Sequence, residues 1–180
     1  TCAAEIDFIM AREEEAGTLQ RMRESGELPL RVTHNDTKIN NVLFDPKDNS
    51  AMIVIDLDTV MPGLVGHDFG DAIRFAANFV EEDSPEFEKA GVNMEIFRGF
   101  CEGFLEMTAG TLIPAEIDTL ALSCFCLTAE LSTRFLADYL DGDLYFKTAY
   151  PEHNLIRART QIKLAADMEA KWDDMNRIVA

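Results

Sequence analysis

The chain has 180 residues, 33 of them acidic against 16 basic, for a formal net charge of −17, with 47% hydrophobic and 27% charged side chains. That balance fits one soluble globular domain with a sizeable core and argues against nucleic-acid or anionic-membrane partners, because no Lys/Arg stripe offsets the negative field. The cysteines, Cys2, Cys101, Cys124 and Cys126, form no C-x-x-C pair, so free thiols rather than zinc are expected; with no signal peptide and no apolar run of about 18 residues read in the sequence, the expected location is the cytoplasm.

In chain order, Ile6, Ile9, Met10, Leu19 and Met22 stand near helical spacing and predict a helical opening over residues 5–25. Leu30, Val32 and His34 alternate as in a strand. Val42-Leu43-Phe44 and Met52 to Ile55 flank the turn-rich Asp45-Pro46-Lys47-Asp48-Asn49-Ser50, which predicts a hairpin. After the loop Met61–His67, the run Ala72, Ile73, Ala76, Ala77, Val80 predicts a helix with Asp68 as N-cap and Asp71 at its third position. Met94, Phe97, Cys101, Phe104 and Leu105 form one helical stripe. Pro114 opens a segment that runs through Leu140 and stops at Gly142, with its centre, Leu120–Leu131, apolar on most faces and so expected to be buried. Pro151 precedes a last helix to about Asn176, on which Leu164, Met168, Trp172 and Met175 share helical spacing. The predicted architecture is α+β, mainly helical with small β-hairpins and without internal repeats.

The chemistry concentrates in His34-Asn35-Asp36-Thr37-Lys38-Ile39-Asn40-Asn41. Phosphoryl transfer needs a carboxylate to orient and deprotonate a hydroxyl, and hard oxygen ligands to hold Mg2+ against the polyphosphate. Asp36 suits the first task; Asn41 and Asp56, the latter closing the run Met52–Ile55, suit the second. The Asp-to-Asn interval equals that of the protein-kinase catalytic loop, although Asn35 stands where that loop has Arg. A hairpin between Asn41 and Asp56 brings both to one ion. Lys38 is placed to lie against the transferred phosphate, or else is a solvated loop lysine. His34 is expected to brace the loop. A literal Asp68-Phe69-Gly70 occurs later, but it follows a loop rather than a strand, so Asp56 is preferred over Asp68 as metal ligand.

These residues resemble the aminoglycoside phosphotransferase and choline kinase superfamily, whose hallmark is His-x-Asp-x-x-x-x-Asn followed by an Ile-Asp pair on the next hairpin. The stretches THNDTKINNVLFD, VIDLDTVMPG, HDFGDAIRF, RFLADYLDGDLYFK and HNLIRARTQIKL are together similar to bacterial N-acetylhexosamine 1-kinases. The resemblance implies the mainly helical C-terminal lobe of a protein kinase-like fold over residues 1–180, using ATP with Mg2+. Asp36 is then the base on the anomeric hydroxyl, Asn41 and Asp56 are the magnesium ligands, and Thr59, Phe75, Arg134 and Tyr145 line the sugar pocket. A guanidinium fork and a phenol suit sugar hydroxyls and an acetamido carbonyl, although Arg134 can instead pair with Asp138 at i and i+4. Trp172 can stack on a sugar ring, but its spacing favours a core anchor. Asp58 and Asp71 are secondary candidates, the first acting through water and the second tying the loop to the following helix.

Family members begin with a smaller β-rich lobe carrying a nucleotide lysine and a phosphate-covering loop. The chain matches none of it, and none of its ten glycines forms G-x-G-x-x-G or G-x-x-x-x-G-K. The resemblance therefore implies that the nucleotide lobe is missing from these residues and that alone they are nearly inactive. Other readings are a kinase for an amino alcohol, homoserine or an aminoglycoside; a hydrolase such as a mucin desulfatase, for which no nucleophile motif is seen; and a non-catalytic kinase-like binding module.

Overall fold

A computed structural model of the chain describes residues 2–180. The helical opening is divided into α1 (Ala3–Met10), α2 (Glu13–Ala16) and α3 (Thr18–Ser25). The last break falls at Gly17, and Gly26 ends α3 in the left-handed conformation, φ 83°. Arg12, between α1 and α2, forks onto Glu169 through Nε at 2.7 Å and Nη2 at 2.8 Å, tying the opening to the far end of the chain.

Two antiparallel strand pairs follow, one nested inside the other. β1 (Arg31–Thr33) pairs with β4 (Met61–Gly63), while β2 (Val42–Phe44) and β3 (Ala51–Val54) form the hairpin between them. The outer pair closes the neck of an excursion, residues 34–60, that carries the whole Asp36 motif and Asp56. The strand read from the alternation of Leu30, Val32 and His34 is present, but its apolar Val32 is 83% exposed, whereas Thr33 is 2% exposed. Thr33 is buried because its hydroxyl donates to the Met61 carbonyl across the pair, at 3.0 Å. The inner hairpin stands clear of the helices, leaving Leu43, Phe44, Met52, Ile53 and Val54 exposed.

The helical body comprises α4 (Val65–Ala76), α5 (Met94–Met107), α6 (Pro114–Asp118), α7 (Leu120–Asp141), α8 (His153–Ala170) and α9 (Trp172–Val179). Helix α4 starts earlier than predicted: Leu64 is its N-cap, and Asp68 lies in its first turn rather than capping it. The segment predicted from Pro114 to Leu140 breaks at Thr119, whose hydroxyl turns back to the Ala115 carbonyl at 2.8 Å. The last helix breaks at Lys171, whose Nζ reaches the Asp167 carboxylate at 2.6 Å and the Val92 carbonyl at 2.8 Å. Gly142, φ 94°, ends α7 where the sequence places the stop.

Helix α7 passes the length and composition test for a membrane span, yet it is the central core helix, packed along α8 on one side and α4 on the other. Its buried face carries Leu120, Cys124 and Phe125. Phe69 of α4 meets Phe104 and Phe100 of α5 at centroid distances of 5.1 and 5.5 Å, within the range of favourable ring pairs. Cys101, Cys124 and Cys126 are buried and free. Burial raises their thiol pKa, to about 11 for Cys101 and about 12 for Cys126, so they behave as small apolar groups.

Helix α4 reaches α7 through two glycines one turn apart. A Cβ on Gly66 would stand 2.0 Å from Ser123 Oγ, and one on Gly70 2.5 Å from the Ser123 carbonyl oxygen. The obstacle at Gly70 is backbone and cannot rotate away. Gly70→Ala should therefore destabilise by about 1–3 kcal/mol as an overpacked contact. Gly99→Ala, where nothing lies within 4 Å of the new Cβ, should be neutral or stabilising by up to about 1 kcal/mol. Thermal unfolding of the two variants checks the contrast.

Candidate active site

The loop from His34 to Lys38 is held on both flanks of Asp36 by carboxylates from α4. Asp68 accepts the backbone N–H of His34 at 2.8 Å on one oxygen and that of Asn35 at 2.7 Å on the other. Asp71 accepts the Thr37 N–H at 2.9 Å, and the Thr37 hydroxyl donates to the Asp68 carbonyl at 2.6 Å. Asn35 sits in the left-handed region at φ 63°, a conformation Asn tolerates better than most residues, and its Nδ2 donates to the Thr59 carbonyl at 3.0 Å. With its neighbours fixed, Asp36 is presented at the apex of the loop. Each Asp68 oxygen is engaged by a backbone donor, so this carboxylate braces the loop.

The Asp36 side chain is 25% exposed, with Lys38 Nζ 3.1 Å from Oδ1. Asn41 Nδ2 donates to Asp36 Oδ2 at 3.1 Å and to its carbonyl at 2.8 Å. Asn41 belongs to the 3-10 turn Ile39–Asn41 that leads straight into β2. Ile55 N donates to the Asn41 carbonyl at 2.9 Å, and His34 Nε2 donates to the Ile55 carbonyl at 3.0 Å. Hairpin register and the His34 ring thus carry Asp56 to the Asp36–Asn41 end. Asp56 itself is exposed, left-handed at φ 62°, and its carboxylate has no hydrogen-bond partner among the described residues.

This donor set fits a magnesium ion. The Asn41 amide nitrogen is spent on Asp36, which leaves its oxygen as the ligating atom, and the Asp56 carboxylate is unengaged. One amide oxygen and one carboxylate match the few protein ligands that Mg2+ takes when phosphate oxygens and water complete its octahedron. Among the described residues no group of three or more His, Cys, Asp or Glu side chains gathers to form an all-protein cage. Asp58 is exposed, and its side chain makes no hydrogen bond among the described residues.

Asp36 opens on a cleft of about 460 Å3, within the usual size of small-molecule pockets. Thr59, His67, Arg134 and Phe146 are among its walls. Thr59 also donates its hydroxyl to the His34 carbonyl at 2.6 Å, so it supports the loop from the cleft side. His67 is partly desolvated there, and burial lowers its pKa.

The predicted sugar-pocket residues separate. Arg134 does line the cleft, and it does not pair with Asp138. Its guanidinium lies 5.4 Å from the Phe146 ring centre and 5.9 Å from that of Tyr145, because Asp138 is fully used elsewhere: it accepts the N–H groups of Leu144, Tyr145 and Phe146 at 2.9, 2.7 and 2.9 Å. Tyr145 is 75% exposed and forms no part of the cleft wall, where Phe146 stands instead. The two are adjacent in a tight loop, and the one that packs on Phe135 at 4.7 Å is Phe146. Phe75 lines a neighbouring chamber. Trp172 packs against the main core, away from the cleft, as its helical spacing suggests.

A model of the phosphotransferase enzyme family matches residues 4–103, more than half of the chain. The chain belongs to that family. Membership implies phosphoryl transfer to a small molecule, with ATP and a divalent metal. The matched stretch contains Asp36, Asn41 and Asp56 and stops within α5, so the cleft walls contributed by α7, the 144–147 loop and α8 lie beyond it. In this phosphotransferase the Asp36–Asn41–Asp56 group and the far walls of the cleft therefore come from different parts of the chain.

Sequence spacing missed several residues. Asp68 was read as a cap, yet it anchors the loop. Arg74, 3% exposed, pairs with Asp71 and Glu82 at 2.7 Å each, and Lys147 and Arg157 complete the cleft. No local pattern marks them, since α4, α7, α8 and two loops converge only in three dimensions.

The loop that carries Phe146 and Lys147 depends on ionised Asp138. Burial favours the neutral carboxyl, but the three backbone donors outweigh it and hold the pKa below the ordinary range. A depressed folded-state pKa stabilises fully above the unfolded value of about 4, and the contribution is lost as pH falls below that through the folded value. Thermal unfolding between pH 7 and 3 should show an acid-side loss of stability that is shallower in Asp138→Asn, along with lower stability of that variant at neutral pH.

Proposed function

We propose that this phosphotransferase is a small-molecule kinase whose acceptor is the anomeric 1-hydroxyl of an N-acetylhexosamine, giving the sugar 1-phosphate and ADP. The observation that carries the reading is the half-buried Asp36 at the mouth of the cleft, with Arg134, Lys147 and Arg157 on the cleft wall and none of the three in an ion pair among the described residues. Asp71, Glu82 and Glu130 stand on the same wall, so the cleft carries charge of both signs and is not an acidic pocket of the kind that selects a polycationic acceptor. It suits a neutral acceptor that becomes a phosphate ester. In this reading residues 1–180 form the catalytic and acceptor-binding lobe in the cytoplasm, and the nucleotide-binding lobe lies outside them.

In the reaction, Asp36 orients the acceptor hydroxyl and takes its proton as that oxygen forms a bond to the terminal phosphorus of ATP. The bond from that phosphorus to the bridging oxygen breaks, and the electron pair leaves with ADP. Asn41 fixes the Asp36 carboxylate on one side. Lys38 supplies positive charge beside it, near the incoming phosphoryl group. Magnesium, held by Asn41 and Asp56, supplies charge neutralisation on the phosphate oxygens when bound. Phe135, Phe146 and Leu131 supply the apolar part of the cleft lining.

An acceptor screen on the intact protein tests this. N-acetylglucosamine and N-acetylgalactosamine should be phosphorylated at the anomeric position in preference to glucosamine, choline, homoserine and aminoglycosides; preference for a cationic acceptor would overturn the proposal. Asp36→Asn should lower kcat by about 10²–10⁴-fold. Asp56→Asn should raise the magnesium concentration needed for half-maximal rate, read from a metal titration.

A further inference from the structure

A second chamber, of about 550 Å3, adjoins the cleft and shares Arg74, Glu82 and Arg157 with it as common wall. Its floor is Gln161 of α8, which is 1% exposed and has neither amide nitrogen nor amide oxygen hydrogen-bonded. Arg157 Nε, one turn earlier on the same helix, is likewise buried without a partner. An unpaired buried polar group costs about 1–3 kcal/mol, and native structures leave few of them. Two adjacent ones, on the wall of one chamber, mark a place where a ligand completes the hydrogen bonding.

The unused groups define what that ligand is. Gln161 offers two donors and an acceptor, and Arg157 Nε one donor. Asn78 has given its carbonyl oxygen to the Gly91 N–H, which leaves its amide nitrogen free to donate. Glu81, Glu82 and Asp83 bring carboxylate acceptors to the wall, Glu82 already bonded to Arg74 and Asp83 to His153. The charge of Arg74 is already neutralised by Asp71 and Glu82, so the chamber is not built for a phosphate. Phe75 and Phe79 add ring faces to the wall. Amide and guanidinium donors intermixed with carboxylate acceptors, no free cation pair and two aromatic faces describe a hydroxyl-bearing ring.

We propose that this chamber is a subsite for a second glycosyl unit, attached to the unit whose anomeric hydroxyl meets Asp36, so that the phosphotransferase accepts a disaccharide at its reducing end. The proposal rests on the hexosamine reading above and extends the acceptor from one ring to two. Gln161 is its specificity determinant, binding the outer ring without touching the reacting atoms.

The test compares N-acetylglucosamine with N,N'-diacetylchitobiose on the intact protein and on Gln161→Leu. The variant should lower kcat/KM for the disaccharide at least tenfold relative to the monosaccharide. Saturation-transfer NMR on the unmodified protein should show contact to both rings, a reading that needs no variant to fold. Equal effects of Gln161→Leu on the two sugars, or NMR contact to the reducing ring alone, would overturn the subsite and leave Gln161 satisfied by solvent. If neither sugar is phosphorylated but the disaccharide still binds through both rings and loses affinity in Gln161→Leu, the hexosamine 1-kinase reading fails while the subsite stands. Absence of both turnover and binding defeats the two together.

Discussion

One carboxylate spanning two consecutive backbone N–H groups organises the site. Asp68 projects from the first turn of α4 and closes on His34 and Asn35, the residues that carry the chain into Asp36. Hydrogen bonds to an ionised acceptor are stronger than neutral ones, and two of them on adjacent amides fix direction as well as position. The left-handed Asn35 that follows is held in place by this grip. Since α4 is itself seated on α7 through Gly66 and Gly70, the position of Asp36 is referred back to the central core helix.

The arrangement of the candidate site is legible in the sequence where it is local. Asp36 and Asn41 are linked by a short turn, and Asp56 is returned to them by a hairpin whose turn residues announce it. What was not legible depends on packing between distant segments. The Asp68-Phe69-Gly70 string carries no sign that its aspartate would reach back to residue 34, and a helix start four residues early changes its role from cap to clamp. Thr33 and Val32 show the limit of alternation in a strand of only three residues: a single hydroxyl with a partner across the pair decides which side is buried. The later helix stripes mark buried residues such as Phe97, Cys101, Leu164, Met168 and Met175, whereas Ile6 and Met10 of the opening stripe are exposed; the breaks at Thr119 and Lys171 arise from side chains bonding back to nearby carbonyls and carboxylates, a choice that hydrophobic spacing does not encode.

Electrostatics in the cleft runs against the composition of the whole. A chain with a net charge of −17 nevertheless presents Lys38, Arg134, Lys147 and Arg157 around one opening, while its buried Arg74 is shared between Asp71 and Glu82. Asp71 bonds the loop amide of Thr37 with its other oxygen, so the loop and both chamber walls meet in one polar network. Members of such a network support one another's geometry beyond their pairwise contributions.

The inner hairpin has a bearing on how copies of this chain behave in solution. Its apolar side chains are open on both faces, and its strands have free edges of the kind that invite pairing with another molecule. Mutual repulsion between strongly acidic copies works against that encounter, and it is effective only within a Debye length, which shrinks from about 10 Å at 0.1 M salt to about 3 Å at 1 M. The excess of carboxylates thereby opposes contact between copies at this surface, and less so as salt rises.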